Sequence, residues 1–180
     1  MGSTEPIDHS TLRVYLRDHL AASVAAIRLL QRMCAVRGAT PLGDEITEIT
    51  SEVRAEQELL RSLIQHIGGA DRGFTLALAW VGEKLSRFKL GPGKPWDSGL
   101  QLFETLEAIS LAFYGRQSLW HTLAELNLQG ALGIDTDFRA LADRASRHLQ
   151  AVERARLVAS RRALFESGER LRDSVERPIM

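Results

Sequence analysis

The sequence contains one cysteine, Cys34, and five prolines, and only 6% of its residues are aromatic. A single cysteine excludes an intrachain disulfide and any metal site built from several cysteines. It is also compatible with a reducing, cytoplasmic location. Few prolines and aromatic residues, combined with abundant leucine, alanine, arginine and glutamate, favour helices over strands. We therefore expect a cytoplasmic, all-α protein.

An excess of one charge is also lacking, because 23 Lys and Arg residues balance 23 Asp and Glu residues. No overall field attracts nucleic acid or an anionic membrane. The longest apolar run, residues 74–81, is interrupted by Thr75 and is far shorter than the roughly 20 residues that span a bilayer. The first ten residues are polar and lack the apolar core of a signal peptide. We expect neither nucleic acid nor membrane as a partner.

The sequence does contain strong helical periodicity, which is clearest between Glu45 and Ile67. Apolar residues recur there in steps of three, four or seven, at Ile46, Ile49, Val53, Leu60, Leu63 and Ile67. This spacing predicts a helix with one face buried against partner helices. Glu56 occupies a position where the pattern calls for leucine or isoleucine. An ionised carboxylate at such a position needs a cation, hydrogen-bond donors or a metal ion.

The same periodicity predicts four long helices, over residues 8 or 10–37, 44–67, 98–129 and 135–165 or beyond. Their predicted N-caps are, in chain order, Asp8 or Ser10, Asp44, Ser98 and Asp135. Residues 72–96 are predicted to form a crossover that includes a shorter helix at 73–89. We expect one helical domain over residues 1–166, followed by an exposed, charged tail over 167–180.

The predicted helices form two hairpins of similar length, joined by the long crossover. Short loops inside each hairpin place the paired helices side by side and antiparallel. Two such hairpins with one long connection make a four-helix bundle of the ferritin-like type. The expected fold class is therefore an all-α, ferritin-like four-helix bundle with a shorter crossover helix.

Each of the four long helices carries a titratable residue in its apolar pattern, and three more acids flank these positions. The candidate metal ligands are Glu56, Glu107, His19, Glu153, His148, Glu52 and Asp18. Inward carboxylates and imidazoles hold two Fe or Mn ions in many helical bundles. Counted from the predicted turns, Glu107 lies level with Glu153 rather than with His148. The depths of His19 and Glu56 differ by roughly 7 Å at 1.5 Å per residue.

A family resemblance rests on three short segments. The heptapeptide Tyr15-Leu16-Arg17-Asp18-His19-Leu20-Ala21, the tripeptide Leu106-Glu107-Ala108, and Gly115-Arg116 before Leu119-Trp120 resemble an uncharacterised bacterial branch of the ferritin-like superfamily, over about residues 10–166. The resemblance implies a four-helix bundle and, in the dinuclear members, a Glu-x-x-His pair on two helices. This chain departs from that pattern, because Glu52 and Glu56 have no histidine three residues later and Glu153 is followed by Arg156.

Two interpretations of Glu56 remain open at this point. It forms a buried ion pair with His19 or with an arginine such as Arg54 or Arg116, or it binds a metal ion. The first interpretation predicts a non-catalytic interaction or stress-related module with a polar core. The alternative is an atypical Fe or Mn carboxylate-histidine protein that performs redox chemistry or metal handling. A third hypothesis is a nonpolar ligand pocket between the hairpins, and we also expect a homodimer formed along a helix face.

Overall fold

The computed structural model describes residues 7–37, 40–68, 99–128 and 132–175. These residues form four helices and no strand: α1 (His9–Arg37), α2 (Pro41–His66), α3 (Gly99–Leu128) and α4 (Phe138–Val175). The prediction of an all-helical protein is confirmed for this part of the chain. The predicted crossover at 72–96, its helix at 73–89 and Ser98 lie outside the described residues.

The helix starts follow from local capping chemistry. Asp8 is the N-cap of α1, because its Oδ1 accepts hydrogen bonds from the backbone N–H groups of Ser10 (2.8 Å) and Thr11 (3.3 Å). Thr40 caps α2, since its Oγ1 accepts from the N–H of Gly43 at 3.2 Å and Pro41 follows as the first helical residue.

Two predicted N-caps were wrong. Asp44 lies inside the first turn of α2. Asp137 replaces Asp135 at α4, because its Oδ1 accepts from the N–H of Ala140 at 2.9 Å. At its other end α4 continues through Gly168 to Val175, so the predicted domain end at residue 166 falls inside this helix.

Two apolar clusters form the core, and each contains residues from all four helices. The Trp120 cluster is formed by Leu12, Leu16, Leu20, Leu60, Leu63, Ile64, Ile67, Leu119, Trp120, Leu123, Ala124, Leu132, Phe138, Leu141, Ala142 and Ala145. The Met33 cluster is formed by Ala26, Ile27, Leu29, Leu30, Met33, Ile46, Ile49, Val53, Leu106, Ile109, Phe113, Ala151, Val152 and Ala159. The four helices therefore share one interior.

The order of the clusters along each helix gives the helix directions. Helices α1 and α4 start in the Trp120 cluster and continue into the Met33 cluster, whereas α2 and α3 run the opposite way. The end of α2 lies beside the start of α1, since Arg13 Nη1 donates to the carbonyl oxygen of Gly68 at 3.1 Å. The start of α3 lies at the other end, where a Cβ atom on Gly99 would lie 3.3 Å from Ala163 Cα. Residues 69–98 connect the end of α2 to the start of α3. These two points therefore lie at opposite ends of the four helices.

Between the two apolar clusters the interior contains polar side chains. One or more polar residues of every helix lie at this level: Ser23 of α1, Glu52, Glu56 and Gln57 of α2, Arg116 of α3 and His148 of α4. We call these six residues the polar layer. Glu56, Gln57, Arg116 and His148 are buried. Among the described helices, none has a sufficiently long apolar segment to cross a membrane.

Candidate functional site

Glu56 lies in the interior, as its place in the apolar pattern of α2 predicts, and only 4% of its surface is exposed. The indole Nε1 of Trp120 donates a hydrogen bond to Oε2 at 2.8 Å. Arg116 Nη2 donates to Oε1 at the long distance of 3.4 Å. Arg116 Nε lies 2.9 Å from Oε2 but is not aligned for a hydrogen bond, so that contact is ionic. Both carboxylate oxygens therefore have a partner on α3.

Arg116 also connects Glu56 to α4, because its Nη2 lies 2.8 Å from Nδ1 of His148. A guanidinium can only donate, so Nδ1 accepts this bond and carries no proton. The imidazole proton of neutral His148 is then on Nε2, which lies 2.6 Å from Oε2 of Glu52. Contacts within hydrogen-bond distance thus run from Trp120 through Glu56, Arg116 and His148 to Glu52, across three helices.

Burial changes the pKa values in this group. Desolvation raises the pKa of Glu56, and the charge of Arg116 and the N–H of Trp120 offset only part of that effect. Desolvation also lowers the pKa of His148 to about 4, with the positive charge of Arg116 acting in the same direction and Glu52 acting against it. At neutral pH the imidazole is therefore uncharged. The pKa of Arg116 is lowered by burial as well, yet a guanidinium stays protonated.

A second polar contact completes the polar layer beside Glu56. Gln57 Nε2 donates to Ser23 Oγ at 3.0 Å, and Ser23 Oγ donates to the carbonyl oxygen of Leu20 at 2.8 Å. These bonds join α1 to α2. Because Gln57 is buried and follows Glu56 directly, its amide would cost stability if it had no partner there.

Within the part of the chain that the structure describes, no hydrogen bond or ion pair joins the other predicted site residues to Glu56, although Asp18 and His19 line the same cavity. Glu107 and Asp18 are exposed. His19 is half-buried and packs edge-on against the ring of Tyr15, with 4.6 Å between the ring centroids. Glu153 accepts bonds of 2.8 to 3.0 Å from Arg156, which lies one turn later on α4.

A dinuclear metal centre fits these residues poorly. Within the described ranges, no group of three or more His, Cys, Asp or Glu residues is placed to hold a metal ion. The guanidinium of Arg116 contacts both Glu56 and His148, the two buried candidates. A metal cation between them would meet this positive charge. The seven-residue ligand set therefore stays a prediction, while the pairing of Glu56 with Arg116 is the arrangement observed.

No family model, curated protein or solved structure matches this chain. The chemistry of the site must therefore be read from its own residues.

A cavity of about 210 Å³ adjoins the polar layer. It lies between α1, α2 and α3, and Glu56, Gln57 and Arg116 form its polar side. Asp18 and Leu111, both exposed, line it as well, so the cavity opens to solvent between α1 and α3. The sequence analysis included a nonpolar ligand pocket between the hairpins as its third hypothesis. The sequence pattern did not indicate which residues would line such a cavity, since the space left between helices depends on side-chain packing.

Sequence reasoning missed two partners of the buried charges. Trp120 was not among the expected partners of Glu56, although it lies one turn after Arg116 on the same face of α3, which is a usable signal. The contact between Glu52 and His148 was missed because the two residues are on α2 and α4, which are not neighbours in the chain order. The spacing within either helix carries no information on that pairing.

Proposed function

We propose that this chain is a ferritin-like four-helix bundle that acts as an interaction module and not through a bound metal ion. The helix directions support the ferritin-like part, because α1 and α4 run against α2 and α3 and a long segment joins α2 to α3. One observation carries the non-catalytic part. Arg116 neutralises Glu56 and donates a hydrogen bond to His148, so the two buried side chains that would bind a metal ion are already paired with an arginine.

Metal analysis tests this proposal. Protein purified without a His-tag is expected to contain far less than about one Fe, Mn or Zn ion per chain, because a real carboxylate-histidine centre retains its ion. The Glu56→Gln and Glu107→Gln variants are compared with it, since Glu107 is an exposed carboxylate outside the polar layer. Near-stoichiometric Fe or Mn that is lost only in Glu56→Gln would overturn the proposal and restore the redox or metal-handling alternative.

An exposed apolar stripe on α4 supports the interaction role. It is formed by Leu157, Val158, Leu164 and Phe165, which are 53%, 55%, 60% and 75% exposed. Residues seven apart lie two turns apart on the same helix face, so these four form one continuous stripe. Single exposed apolar residues are ordinary, but a continuous patch marks a contact surface. We call this surface the α4 stripe.

A second copy of this chain is the partner we propose for the α4 stripe. Apolar residues that recur one heptad apart lie along one line of a helix, and such a line can pack against the same line of an identical helix. A two-fold axis through the stripe would bring each copy's residues onto the same residues of the other. Homodimerisation through α4 is the resulting proposal. In this arrangement Cys34, which contacts Thr47 Oγ1 at 3.4 Å between α1 and α2, would take no part.

Light scattering tests the dimer. The expected mass is twice 20.0 kDa for the unmodified chain, and Leu157→Glu combined with Leu164→Glu is expected to give a monomer. Val14→Glu is the matched control, because Val14 is 59% exposed on α1, away from the stripe. Circular dichroism checks that each variant remains helical. A monomeric wild-type protein, or a dimer that survives both α4 changes, would contradict the proposal.

A further inference from the structure

The cavity between α1, α2 and α3 is bounded mainly by apolar side chains. The large ones are Val53, Leu60, Phe113, Leu119 and Trp120. An apolar protein cavity of about 150 Å³ is large enough to hold benzene. At about 210 Å³, this cavity has room for a somewhat larger molecule.

Small residues on two facing helices leave this space open. Ala22 and Ala26 of α1 and Ala112 and Gly115 of α3 line the cavity. A Cβ atom on Gly115 would meet nothing within 4 Å. Because these side chains are short, the atoms of the walls have fewer neighbours than atoms in a close-packed interior. A molecule that fills the space would supply the missing contacts.

The polar groups beside the cavity are largely paired with one another. Both oxygens of Glu56 have partners on α3, and the amide nitrogen of Gln57 donates to Ser23. Arg116 Nε and Nη1 have no hydrogen-bond partner within the described part of the chain, but these atoms have essentially no exposed surface, inside the cavity or outside it. A stably bound water needs roughly two to four polar partners. The cavity therefore suits an apolar molecule better than water.

The charges at the cavity disfavour an ionic ligand. Asp18 is an exposed carboxylate at the opening and would repel an anion. His19 adds no positive charge at neutral pH, because burial lowers its pKa. Inside, Glu56 and Arg116 already balance each other. A cation that paired with Asp18 would gain little, since ion pairs exposed to water contribute little.

We propose that this cavity binds a small, uncharged, apolar molecule through burial of its surface and without a hydrogen bond. The ligand enters between α1 and α3, past Asp18 and Leu111, and packs against Phe113 and Trp120. Binding is noncovalent. The site is independent of the α4 stripe and of the interaction role proposed above.

Four probes of nearly the same shape test the chemical class. Isopropylbenzene is wholly apolar. In α-methylbenzyl alcohol a hydroxyl replaces one of its methyl groups, in α-methylbenzylamine an ammonium group does so, and benzoate carries a carboxylate in place of the isopropyl group. All four are titrated into the full-length protein and followed by NMR.

Isopropylbenzene is expected to bind most tightly of the four. Burial of a hydroxyl that finds no partner predicts a preference over the alcohol of about fivefold or more. The two charged probes should bind more weakly still, because each would have to lose more hydration. Absence of saturable isopropylbenzene binding, or equal or tighter binding of any polar probe, would overturn the proposal.

NMR contacts between ligand and protein test the location. Leu60 and Leu119 line the cavity, whereas Met33 is fully buried in the Met33 cluster and does not line it. Bound isopropylbenzene is expected to give intermolecular NOEs to the methyl groups of both leucines and none to that of Met33. NOEs confined to residues that do not line the cavity would refute the location. This measurement uses the unmodified protein, so it does not depend on how a variant folds.

Filling the cavity tests the same site by mutation. The double variant Ala22→Leu and Gly115→Leu adds side chains from α1 and α3 at two half-buried lining positions. We expect it to keep the helical circular dichroism of the wild type and to lose isopropylbenzene binding. Ala55→Leu with Glu125→Leu adds leucines at exposed positions of α2 and α3 outside the cavity, and it should bind like the wild type. Unchanged affinity in the first variant, or an equal loss in both, would contradict the proposal.

Discussion

The two apolar clusters and the polar layer between them bury their side chains by different means. The Trp120 and Met33 clusters exclude water from leucine, isoleucine and aromatic groups, and each buried group stabilises the fold roughly in proportion to its area. The polar layer buries Glu56, Arg116 and His148, whose desolvation is unfavourable unless every partner is in place. The clusters thus tolerate small changes of packing, whereas the polar layer depends on specific atoms.

This difference has a consequence for how the helices align. Apolar side chains of similar size can interdigitate in more than one register, but the hydrogen bonds of the polar layer can form in only one. Glu56 of α2 meets Arg116 of α3, which in turn meets His148 of α4. A slide of one helical turn, about 5.4 Å, would break these contacts. We expect the polar layer to set the register of three helices.

The largest expected effect comes from removing one partner of the buried ion pair. Arg116→Met leaves Glu56 buried without a counter-charge and should lower the free energy of unfolding by about 4 kcal/mol. The double variant Glu56→Gln and Arg116→Met keeps an acceptor for Trp120 and buries no charge, so we expect it to recover at least about half of that loss. Urea unfolding at neutral pH measures both. A loss in the double variant equal to the sum of the losses of Arg116→Met and of Glu56→Gln alone would show that the pair is not coupled.

A cavity in an apolar cluster provides the contrasting case. Ile109 is fully buried in the Met33 cluster. Ile109→Ala should cost about 3 kcal/mol through lost burial and the cavity left behind. This loss should be the same at pH 5 and pH 7, because no titratable group is involved. A loss that changes with pH would mean that the cluster and the polar layer do not act separately.

Acid should weaken the polar layer through His148. Its pKa is about 4 in the folded protein and 6.5 in the unfolded chain, so between these values the unfolded chain binds the additional proton. The contribution of His148 to stability is complete above pH 6.5 and is lost as the pH falls toward 4. From pH 7 to pH 5, the wild type should lose about 2 kcal/mol more than His148→Gln.

The comparison with His148→Gln isolates this effect from the other charges that face the imidazole, which are Glu52, Arg116 and Arg144. The raised pKa of Glu56 acts in the opposite direction, since it reduces stability as the pH rises above 4.5, the ordinary pKa of a glutamate. Urea unfolding of both proteins at each pH gives the difference directly. Identical pH profiles would remove His148 as the source of acid sensitivity.

The smallest predicted effect lies outside both regions, at the start of α2. Thr40→Ala removes the acceptor for the N–H of Gly43 and should cost about 1 kcal/mol. The cost should not depend on pH, and Thr40→Ser should restore most of the stability because serine keeps the hydroxyl. Thermal unfolding measures both variants. Equal melting temperatures for the alanine variant and the wild type would show that water replaces the cap without loss.

Much of the helical architecture could be predicted from periodicity. The bounds of α1 and α3 differ from expectation by one residue or none at each end. The errors are at the starts of α2 and α4, where several capping residues compete over a few positions. Thr40, and not Asp44, is the N-cap of α2, because Pro41, with its fixed φ, favours the first helical position. At α4 both Asp135 and Asp137 are good caps, and propensity alone does not choose between them.

The candidate site was only partly predictable. A glutamate inside an apolar pattern indicated that Glu56 is buried, and Arg116 was among the partners considered for it. Which helices face each other across the interior, however, depends on how the hairpins dock. The depths of the candidate residues were compared by counting residues along each helix. The side chain of Arg116, however, is long enough to reach two other helices. The side-chain geometry, rather than the spacing, joins these residues.

The placement of Gly68 and Gly99 limits how far the chain can be shortened. Ala163, beside Gly99, is 163 − 138 = 25 residues along α4 from Phe138, which shares a cluster with Ile67. At 1.5 Å per residue this separation is about 37 Å. The 99 − 68 − 1 = 30 intervening residues can thus be replaced by no fewer than about 11 extended ones. A five-glycine linker could not bridge this distance, and its second hairpin would have to dock on the first hairpin of another molecule, which gives a domain-swapped assembly.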